Sequence, residues 1–391
     1  MSSPETSSDR RPPNLWNRFL DLAVRQPDVE AILAPGRSSL RFGDLPARIE
    51  AVKGALNEAG IGCGDLVATA LANGADTAVC LVALGCFATG VPLNPEYSED
   101  EFGRYLRRIR PKALIVQEGG GTVARVVAAS LGIPIVDLVA GLGQPCGVFA
   151  LRSNHRGSPI RAGWGGADDT AFILLTSGST GRVRLVPLRQ RILLTYAEIT
   201  RAYYNLGPAD RCLHVMPMFH GHGLKASLLN PLIAGGGVAC PDRFDVASFF
   251  ASLEMFRPTW FSAGFAFHRA IVDGLGPFRV IARAAGLRFI RSGSGRLDRR
   301  VMLDLEESFG APVLERYGMS ETGTLTYNPP PPRIRKAGTV GLVGVNRVRV
   351  VDEKGHLLAA NEEGEVVVCG PTVVDGYWDD PEATAEAFVD G

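Results

Sequence analysis

The chain has 391 residues, enough for two or three units that each bury a core. Lys plus Arg and Asp plus Glu both number 41, so the formal charge is zero and nothing favours nucleic acid as a partner. Hydrophobic residues make up 46% and charged residues 21% of the chain, which is the range of soluble globular proteins.

The cysteines and the N-terminus bear on the cellular compartment. The seven cysteines are dispersed, with no C-x-x-C pair, which suits a reducing compartment better than a disulfide framework. Residues 1–13 are polar and contain prolines but lack the apolar core of a signal peptide, so we predict a disordered tail. Together these features predict a cytoplasmic protein.

Residues 77–95 carry no charged side chain, which raises the question of a membrane span. The stretch is rich in Ala, Gly, Thr and Cys, and it ends with Pro92, Asn94 and Pro95. We predict a buried helix followed by a strand here, and no span.

Helix-like and strand-like stretches alternate along the first half of the chain. Apolar residues at helical spacing predict helices, and short apolar runs predict strands. The predicted helices cover residues 15–24, 45–59 and 123–131, and the predicted strands cover residues 66–71, 113–117 and 133–137. Residues 60–65, G-I-G-C-G-D, suggest a dinucleotide fingerprint, but they follow a helix and precede a strand, so we predict a turn.

This alternation predicts an α/β fold with two helix-covered, mainly parallel sheets. Polar, glycine-rich residues at 151–169 predict a boundary, and four prolines at 329–332 predict a stiff connector. Short strand-like stretches at 339–351 and 364–368, with no helix between them, predict a small antiparallel or β-barrel-like unit. The predicted divisions are 14–165, 166–328 and 329–391.

The stretch I-L-L-T-S-G-S-T-G at 173–181 places six small residues directly after an apolar strand. Small side chains let backbone N–H groups approach a polyphosphate closely. The stretch is not a Walker loop, which would read G-x-x-x-x-G-K-[ST]. By itself it is also consistent with a polar turn after a buried strand.

Three further segments follow in order: Y-G-M-S-E-T at 317–322, G-E-V-V-V-C-G-P at 364–371, and G-Y-W at 376–378 with P-E-A-T at 381–384. This ordered set resembles the adenylate-forming superfamily, which holds the acyl-CoA synthetases, the adenylation domains of peptide synthetases and the luciferases. The resemblance runs over residues 15–391. It implies that a carboxylic acid reacts with ATP and Mg²⁺ to give an acyl-adenylate, which then passes to CoA or to a carrier-protein phosphopantetheine.

The resemblance also implies roles for individual residues. Tyr317 and Gly318 would lie at the adenine, Ser320 would contact the α-phosphate, and Glu321 would hold Mg²⁺, an ion that prefers carboxylate and phosphate oxygens. Arg184 stands where relatives have lysine and keeps the positive charge. The residues implied to cradle the β- and γ-phosphates are Thr176, Ser177, Gly178, Ser179, Thr180 and Gly181.

The same resemblance implies where the acid and the adenine would bind. The loop Gly293, Ser294 and Gly295 would contact adenine and line the acyl pocket, because its glycines let a flat ring lie on bare backbone. His220 and Gly221, within M-P-M-F-H-G-H-G-L, would border the reacting carboxylate, and H-G-H-G-L resembles the branch that includes oxalate–CoA ligases. Read without the resemblance, the histidines could be structural or could hold a metal. The predicted substrate wall consists of Phe261, Phe265 and Arg291.

Two acid classes remain open. Aromatic bulk from Phe219, Trp260 and Phe267, with the two phenylalanines above, favours a small or medium-sized monocarboxylate. An inward-facing Arg291 without an internal acidic partner favours a diacid, because a buried cation without a partner is costly.

The resemblance further implies a continuation that this sequence does not contain. In relatives a T-G-D aspartate binds the ribose, and a C-terminal domain carries the lysine that stabilises the adenylation transition state. We therefore expect this chain alone to bind ATP but to adenylate poorly. Val183 and Arg184, which replace a proline and a lysine, keep open a non-catalytic nucleotide- or acyl-binding module.

Overall fold

The computed structural model describes residues 14–141, 143–177 and 183–389. The tail predicted at residues 1–13 lies outside them. Within the described residues, the strands in chain order are β1 (Glu30–Leu33), β2 (Leu40–Arg41), β3 (Leu66–Ala70), β4 (Thr89–Pro92), β5 (Ala113–Gln117), β6 (Ile135–Ala140), β7 (Phe149–Arg152), β8 (Thr170–Ser177), β9 (Val183–Arg189), β10 (Arg211–Leu213), β11 (Gly237–Ala239), β12 (Trp260–Ala263), β13 (Phe289–Ser292), β14 (Val313–Met319), β15 (Gly323–Tyr327), β16 (Leu342–Val343), β17 (Arg347–Val351) and β18 (Glu365–Cys369).

Helices connect most of these strands. A π-helical segment, His222–Leu229, precedes the seventh α-helix, and a short 3₁₀ turn, Gly276–Phe278, precedes the tenth. The α-helices are α1 (Leu15–Arg25), α2 (Leu45–Glu58), α3 (Ala75–Phe87), α4 (Glu99–Ile109), α5 (Thr122–Ser130), α6 (Gln190–Tyr204), α7 (Asn230–Ile233), α8 (Val246–Phe256), α9 (Phe265–Asp273), α10 (Arg279–Ala284), α11 (Arg299–Phe309) and α12 (Pro381–Ala387).

The strands form two large sheets. The seven-stranded sheet has the order β7-β6-β5-β3-β4-β8-β9 and is parallel except for its two edge strands. The nine-stranded sheet has the order β16-β15-β14-β13-β12-β10-β11-β1-β2 and is parallel from β14 to β1. The prediction of two helix-covered, mainly parallel sheets is therefore confirmed.

Helix α3 lies between the two sheets. It contacts β4 and β8 of the first sheet and β1 of the second, and all of its residues are buried. This explains the uncharged stretch, because a helix covered on every side cannot place unpaired charges in water. None of the helices in the described parts of the chain combines the length and the apolar character that a bilayer crossing needs.

Strand pairing departs from the division predicted at residue 165. Strands β8 and β9 follow that point in sequence but belong to the first sheet, and β1 and β2 precede it but pair in the second. The predicted boundary rested on local composition, which carries no information about long-range pairing.

The small C-terminal unit is less closed than the barrel-like form predicted. Within residues 329–389, β17 and β18 form a two-stranded antiparallel ladder, while β16 joins β15 at the edge of the nine-stranded sheet. Several apolar side chains of this region, including Val366 and Val367 on β18, are exposed.

Candidate nucleotide and acid site

The strands on either side of the small-residue stretch pair with each other. Strands β8 and β9 are antiparallel, with Thr176 opposite Arg184 and Ser177 opposite Val183. The predicted phosphate-binding residues Gly178, Ser179, Thr180 and Gly181 lie outside the described residues. Thr176 and Arg184 therefore lie together, near the end of β8 and the start of β9.

The segment Y-G-M-S-E-T forms a β-hairpin between β14 and β15, in which Met319 pairs with Gly323. The hydroxyl of Thr322 accepts a hydrogen bond from the N–H of Met319 at 3.2 Å. Gly318 is obligatory, since a Cβ atom there would lie 1.9 Å from the Gly323 carbonyl oxygen. Tyr317 is 38% exposed, so one face of its ring remains available for a flat ligand.

Tyr377 connects the β8–β9 strand pair to the β14–β15 hairpin, a connection that sequence reasoning missed. Arg184 donates to its hydroxyl at 3.1 Å, and that hydroxyl donates to the Glu321 carboxylate at 3.1 Å. The Arg184 guanidinium also lies over the Tyr377 ring, 4.9 Å from its centroid. Tyr377 belongs to the G-Y-W segment, which contributed to the superfamily resemblance, but the sequence analysis assigned this residue no role.

The backbone around Tyr377 fixes this connection. The N–H of Trp378 donates to the Leu185 carbonyl of β9 at 2.8 Å, and the N–H of Val374 donates to the Glu321 carbonyl at 2.8 Å. The Thr372 hydroxyl donates to the Thr322 carbonyl at 2.7 Å. Residues 372–378 therefore contact both β-strand pairs and fix their relative position.

A cavity of about 260 Å³ opens beside the β14–β15 hairpin. It brings together several of the predicted residues with others from α6 and the π-helical segment. Its lining consists of Tyr196, His220, Gly221, His222, Lys225, Ala226, Ser294, Arg316, Gly318, Met319, Ser320 and Gly323. A larger surface cleft of about 620 Å³, lined by residues of α10 and α11, contains none of the predicted site residues.

His220 presents a proton donor to this cavity. Its Nδ1 accepts a hydrogen bond from the N–H of His222 at 3.1 Å, so the neutral ring carries its proton on Nε2. Desolvation lowers the pKa of His220, and the nearby charges of Arg316 and Lys225 lower it further. A neutral imidazole at neutral pH can therefore donate to a carboxylate oxygen.

His222 connects the loop at residues 293–295 to strand β12. Its two ring nitrogens lie 2.8 Å from the Ser294 hydroxyl and 2.7 Å from the Ser262 hydroxyl. Ser294 has a φ of 62°, a left-handed conformation that is costly for serine and is held here by this contact. Gly293 and Gly295 flank it, and a Cβ atom on Gly293 would collide with the Arg316 guanidinium at 2.8 Å.

Two cations, Lys225 and Arg316, line the cavity, and a third, Arg291, contacts the cavity residue Tyr196 without being part of the lining. Arg291 is 0% exposed and donates to the hydroxyls of Tyr196 at 3.1 Å and Thr324 at 3.4 Å. Arg316 makes one long contact of 3.4 Å to the same Thr324 hydroxyl. Lys225, 6% exposed, donates to the Ser320 carbonyl at 2.9 Å.

The acceptors of these cations are hydroxyl and carbonyl oxygens. Among the described residues, no carboxylate lies within ion-pair distance of Arg291, Arg316 or Lys225, and Nε and one terminal nitrogen of Arg291 have no partner. Burial lowers the pKa of Lys225 to about 8, Arg316 adds to this effect, and Tyr196 and Glu321 oppose it. Burial raises the pKa of Tyr196, but Arg291 and Arg316 outweigh it, so the net shift is downward.

The aromatic residues predicted as the substrate wall lie elsewhere. Phe261 is fully buried and packs on Phe249, with ring centroids 5.1 Å apart, and Trp260 stacks on Phe289 at 5.5 Å. Phe265 begins α9 and is 39% exposed, outside the lining of the cavity. Apolar strand residues predict burial, but they do not reveal which face of the sheet a site uses.

The described residues offer one carboxylate where the resemblance places Mg²⁺. The Glu321 carboxylate accepts a hydrogen bond from Tyr377, which also contacts Arg184 of β9. A single carboxylate at this position fits Mg²⁺, which takes one or two carboxylates and completes its coordination shell with phosphate oxygens and water. Among these same residues, no group of three His, Cys, Asp or Glu side chains could hold a metal ion. His214 is buried, with Nε2 3.2 Å from the Gly223 carbonyl oxygen.

The fold and the site define a class of protein. Residues 19–378 match the AMP-binding enzyme family, so the chain belongs to that family. Its members with similar sequences are CoA ligases, and the chain is accordingly an enzyme of the ATP-dependent acid–thiol ligase class.

Several characterised or solved proteins are similar to this chain over most of its length. The chain is 34% identical to an oxalate–CoA ligase of Arabidopsis thaliana over 94% of its own length and 73% of the relative. It is 31% identical to a sulfoacetate–CoA ligase of Cupriavidus necator over 94% of this chain and 71% of that one. Among solved structures, MatB from Rhodopseudomonas palustris superposes with a TM-score of 0.83 at 27% identity, covering 97% of this chain and 74% of MatB.

Proposed function

We propose that the site activates a short carboxylic acid as its adenylate and that the acyl group then passes to CoA. A carboxylate oxygen attacks the α-phosphorus of ATP, an acyl–phosphate bond forms, and the bond to pyrophosphate breaks. The thiol sulfur then attacks the acyl carbon and releases AMP.

The observation that carries this proposal is the connection through Tyr377. The Tyr377 hydroxyl contacts both the Arg184 guanidinium of β9 and the Glu321 carboxylate, each at 3.1 Å. A polyphosphate binds to a cation through its oxygens and to a carboxylate through a shared metal ion, and this arrangement offers one of each.

The residues act by charge and by position. Thr176 and Arg184 lie beside the phosphates, Ser320 faces the α-phosphate, and His220 donates from Nε2 to the attacking carboxylate. Tyr317, with its exposed ring, is the proposed adenine platform, and Gly293 and Gly295 allow close approach of the base. Mg²⁺, held by Glu321, would neutralise charge on the phosphates as the bond to pyrophosphate breaks.

CoA is the proposed acceptor because the relatives above are named as CoA ligases. None of the described contacts favours a carrier protein. The acid is proposed to be short, since it would share the cavity of about 260 Å³ with part of the nucleotide: Ser320, proposed to face the α-phosphate, belongs to the same lining.

The acid is also proposed to carry a second negative group. Lys225 and Arg316 line the cavity without a carboxylate in ion-pair distance among the described residues, while the fully buried Arg291 is not part of the lining. That is the condition under which a diacid is favoured over a monocarboxylate. The named substrates of the two curated relatives, oxalate and sulfoacetate, are both short and doubly negative.

ATP–pyrophosphate exchange tests the proposal, with oxalate, malonate, benzoate, butyrate and octanoate as candidate acids. It should be run on this chain and on a chimera in which this chain replaces the 74% of MatB that it matches. We expect exchange above the acid-free background with oxalate or malonate in the chimera and weaker exchange in the chain alone. No acid-dependent exchange in either protein would refute adenylation, and a preference for octanoate would refute the short acid.

A further inference from the structure

We infer that Lys225 determines specificity by binding, together with Arg316, an anionic group of the acid other than the reacting carboxylate. The inference rests on the proposed function and names the residue that reads the second charge. It concerns a side chain to which the sequence assigned no role.

The placement of Lys225 is unusual for a lysine. It lies in the π-helical segment among buried apolar residues, and its whole side chain is enclosed. Lysine is almost never fully buried without a charged partner. Here the ammonium makes one hydrogen bond, to the Ser320 carbonyl, and so has two N–H groups free to face the cavity that it lines.

Charge balance indicates what those N–H groups bind. The cavity lining contains two cations, Lys225 and Arg316, and no carboxylate side chain. A monocarboxylate brings one negative charge and loses it when its oxygen becomes part of the mixed anhydride. A doubly negative acid keeps one charge after adenylation, and that charge can stay paired with the cations throughout the reaction.

The surrounding groups favour the same conclusion. Burial lowers the pKa of Lys225 more than the charges of Tyr196 and Glu321 raise it, and Arg316 adds to the lowering, so an anion bound at the ammonium would favour its protonated form. The Lys225 ammonium lies 5.9 Å from the Tyr196 ring centroid, and the Tyr196 hydroxyl bonds Thr324 and Arg291. Tyr196 thus contacts both the fully buried Arg291 and the Lys225 ammonium that lines the cavity.

An alternative is that Lys225 binds the α-phosphate, because it touches Ser320. The two possibilities predict different losses when the charge is removed. A second-anion contact affects the diacid and leaves the nucleotide and monocarboxylates unchanged. A phosphate contact affects the nucleotide and all acids alike.

The experiment measures binding by calorimetry on the full chain, with a non-hydrolysable MgATP analogue present, for malonate and for its matched monocarboxylate propionate. The variants are Lys225→Met, which keeps the length of the side chain and removes the charge, and Lys225→Arg, which keeps the charge. Lys354→Met, at an exposed turn, is the matched control for loss of a lysine.

We expect Lys225→Met to weaken malonate binding on the order of 30-fold or more, as removal of one partner from a buried charge contact does. Propionate and the nucleotide analogue should bind as in the unchanged protein, and Lys225→Arg should retain most of the malonate affinity. Equal losses for malonate, propionate and nucleotide would assign Lys225 to the phosphate and overturn the inference. Unchanged malonate affinity would overturn it as well.

Failure of the proposed function gives a separate result. If the unchanged chain binds the nucleotide analogue but neither acid, the carboxylate site itself is refuted. If it binds propionate and malonate equally, only the second-anion site is refuted. Melting curves of each variant show whether a loss of binding reflects a loss of fold.

Discussion

Removal of the Tyr377 hydroxyl should weaken MgATP binding more than it weakens the fold. In Tyr377→Phe, the ring can still pack on Phe388, at a centroid distance of 5.5 Å, and still lie under the Arg184 guanidinium. The two hydrogen bonds to Arg184 and Glu321 are lost. These two charged groups can then pair directly with each other, which withdraws both from the nucleotide.

The magnitude follows from those two contacts. A hydrogen bond to a charged group contributes about 1.5–3 kcal/mol net. Direct pairing of Arg184 with Glu321 recovers part of the sum, so we expect a net loss equal to one such bond. A loss of about 1.5–3 kcal/mol corresponds to a Kd for MgATP that is roughly 10- to 150-fold higher.

Calorimetry with MgATP and a melting curve measure the two effects. Tyr203→Phe is the matched control, because it also removes one tyrosine hydroxyl bond, 2.8 Å to the Tyr327 carbonyl, but lies outside the cavity lining. The control should bind MgATP normally. If Tyr377→Phe binds MgATP as tightly as the control does, the hydroxyl does not organise the site and the reasoning is wrong.

Four further outcomes are expected. Glu321→Gln should abolish the Mg²⁺ dependence of ATP binding without lowering the melting temperature by more than a few degrees; unchanged Mg²⁺ dependence in calorimetry would remove Glu321 from the metal site. Gly318→Ala should unfold at lower temperature and lose MgATP binding, because the new methyl group meets the Gly323 carbonyl at 1.9 Å; a melting curve like that of the unchanged protein would show that the hairpin can shift. Lys225→Met should unfold at the same or a higher temperature near pH 7. Burial holds the folded-state pKa of Lys225 near 8, below its ordinary 10.5, so the unpaired ammonium destabilises the native state below pH 8. A marked loss of stability in the variant would contradict this. Malonate affinity should fall as pH rises through about 8, because Lys225 loses its proton there. The titratable and charged groups around it are Tyr196, Arg316, Glu321 and His220. The fall in affinity should vanish in Lys225→Arg, and a fall that persists in this variant would be due to Tyr196.

Local features of the fold were predictable because they depend on nearby residues. The buried helix at α3, the turn at residues 60–65 and the strand that leads into the small-residue loop all follow from apolar spacing and glycine content. Sheet membership was not predictable in this way. Strand β8, which begins at Thr170, pairs with β4, which ends at Pro92, and no local pattern records that pairing.

Site residues were easier to predict where the backbone conformation restricts the residue type than where the direction of a side chain decides its role. Gly318 and Ser294, which the motifs singled out, line one cavity, and their backbone conformations admit few alternatives. Phe261 was misplaced because a strand residue can face either side of a sheet. Lys225 carried a readable signal, a single charge within the apolar run 224–229, and Tyr377 carried none beyond its motif.

The transfer of oxygen from the acid to AMP tests the central claim most directly. The chain is incubated at high concentration with MgATP, a trapping thiol or hydroxylamine, and malonate labelled with ¹⁸O in its carboxyl groups, and the AMP is analysed by mass spectrometry. Attack of a carboxylate oxygen on the α-phosphorus places one ¹⁸O in each AMP formed, and Glu321→Gln should suppress the labelled AMP. Label in inorganic phosphate, or AMP released without label, would contradict carboxylate adenylation at this site.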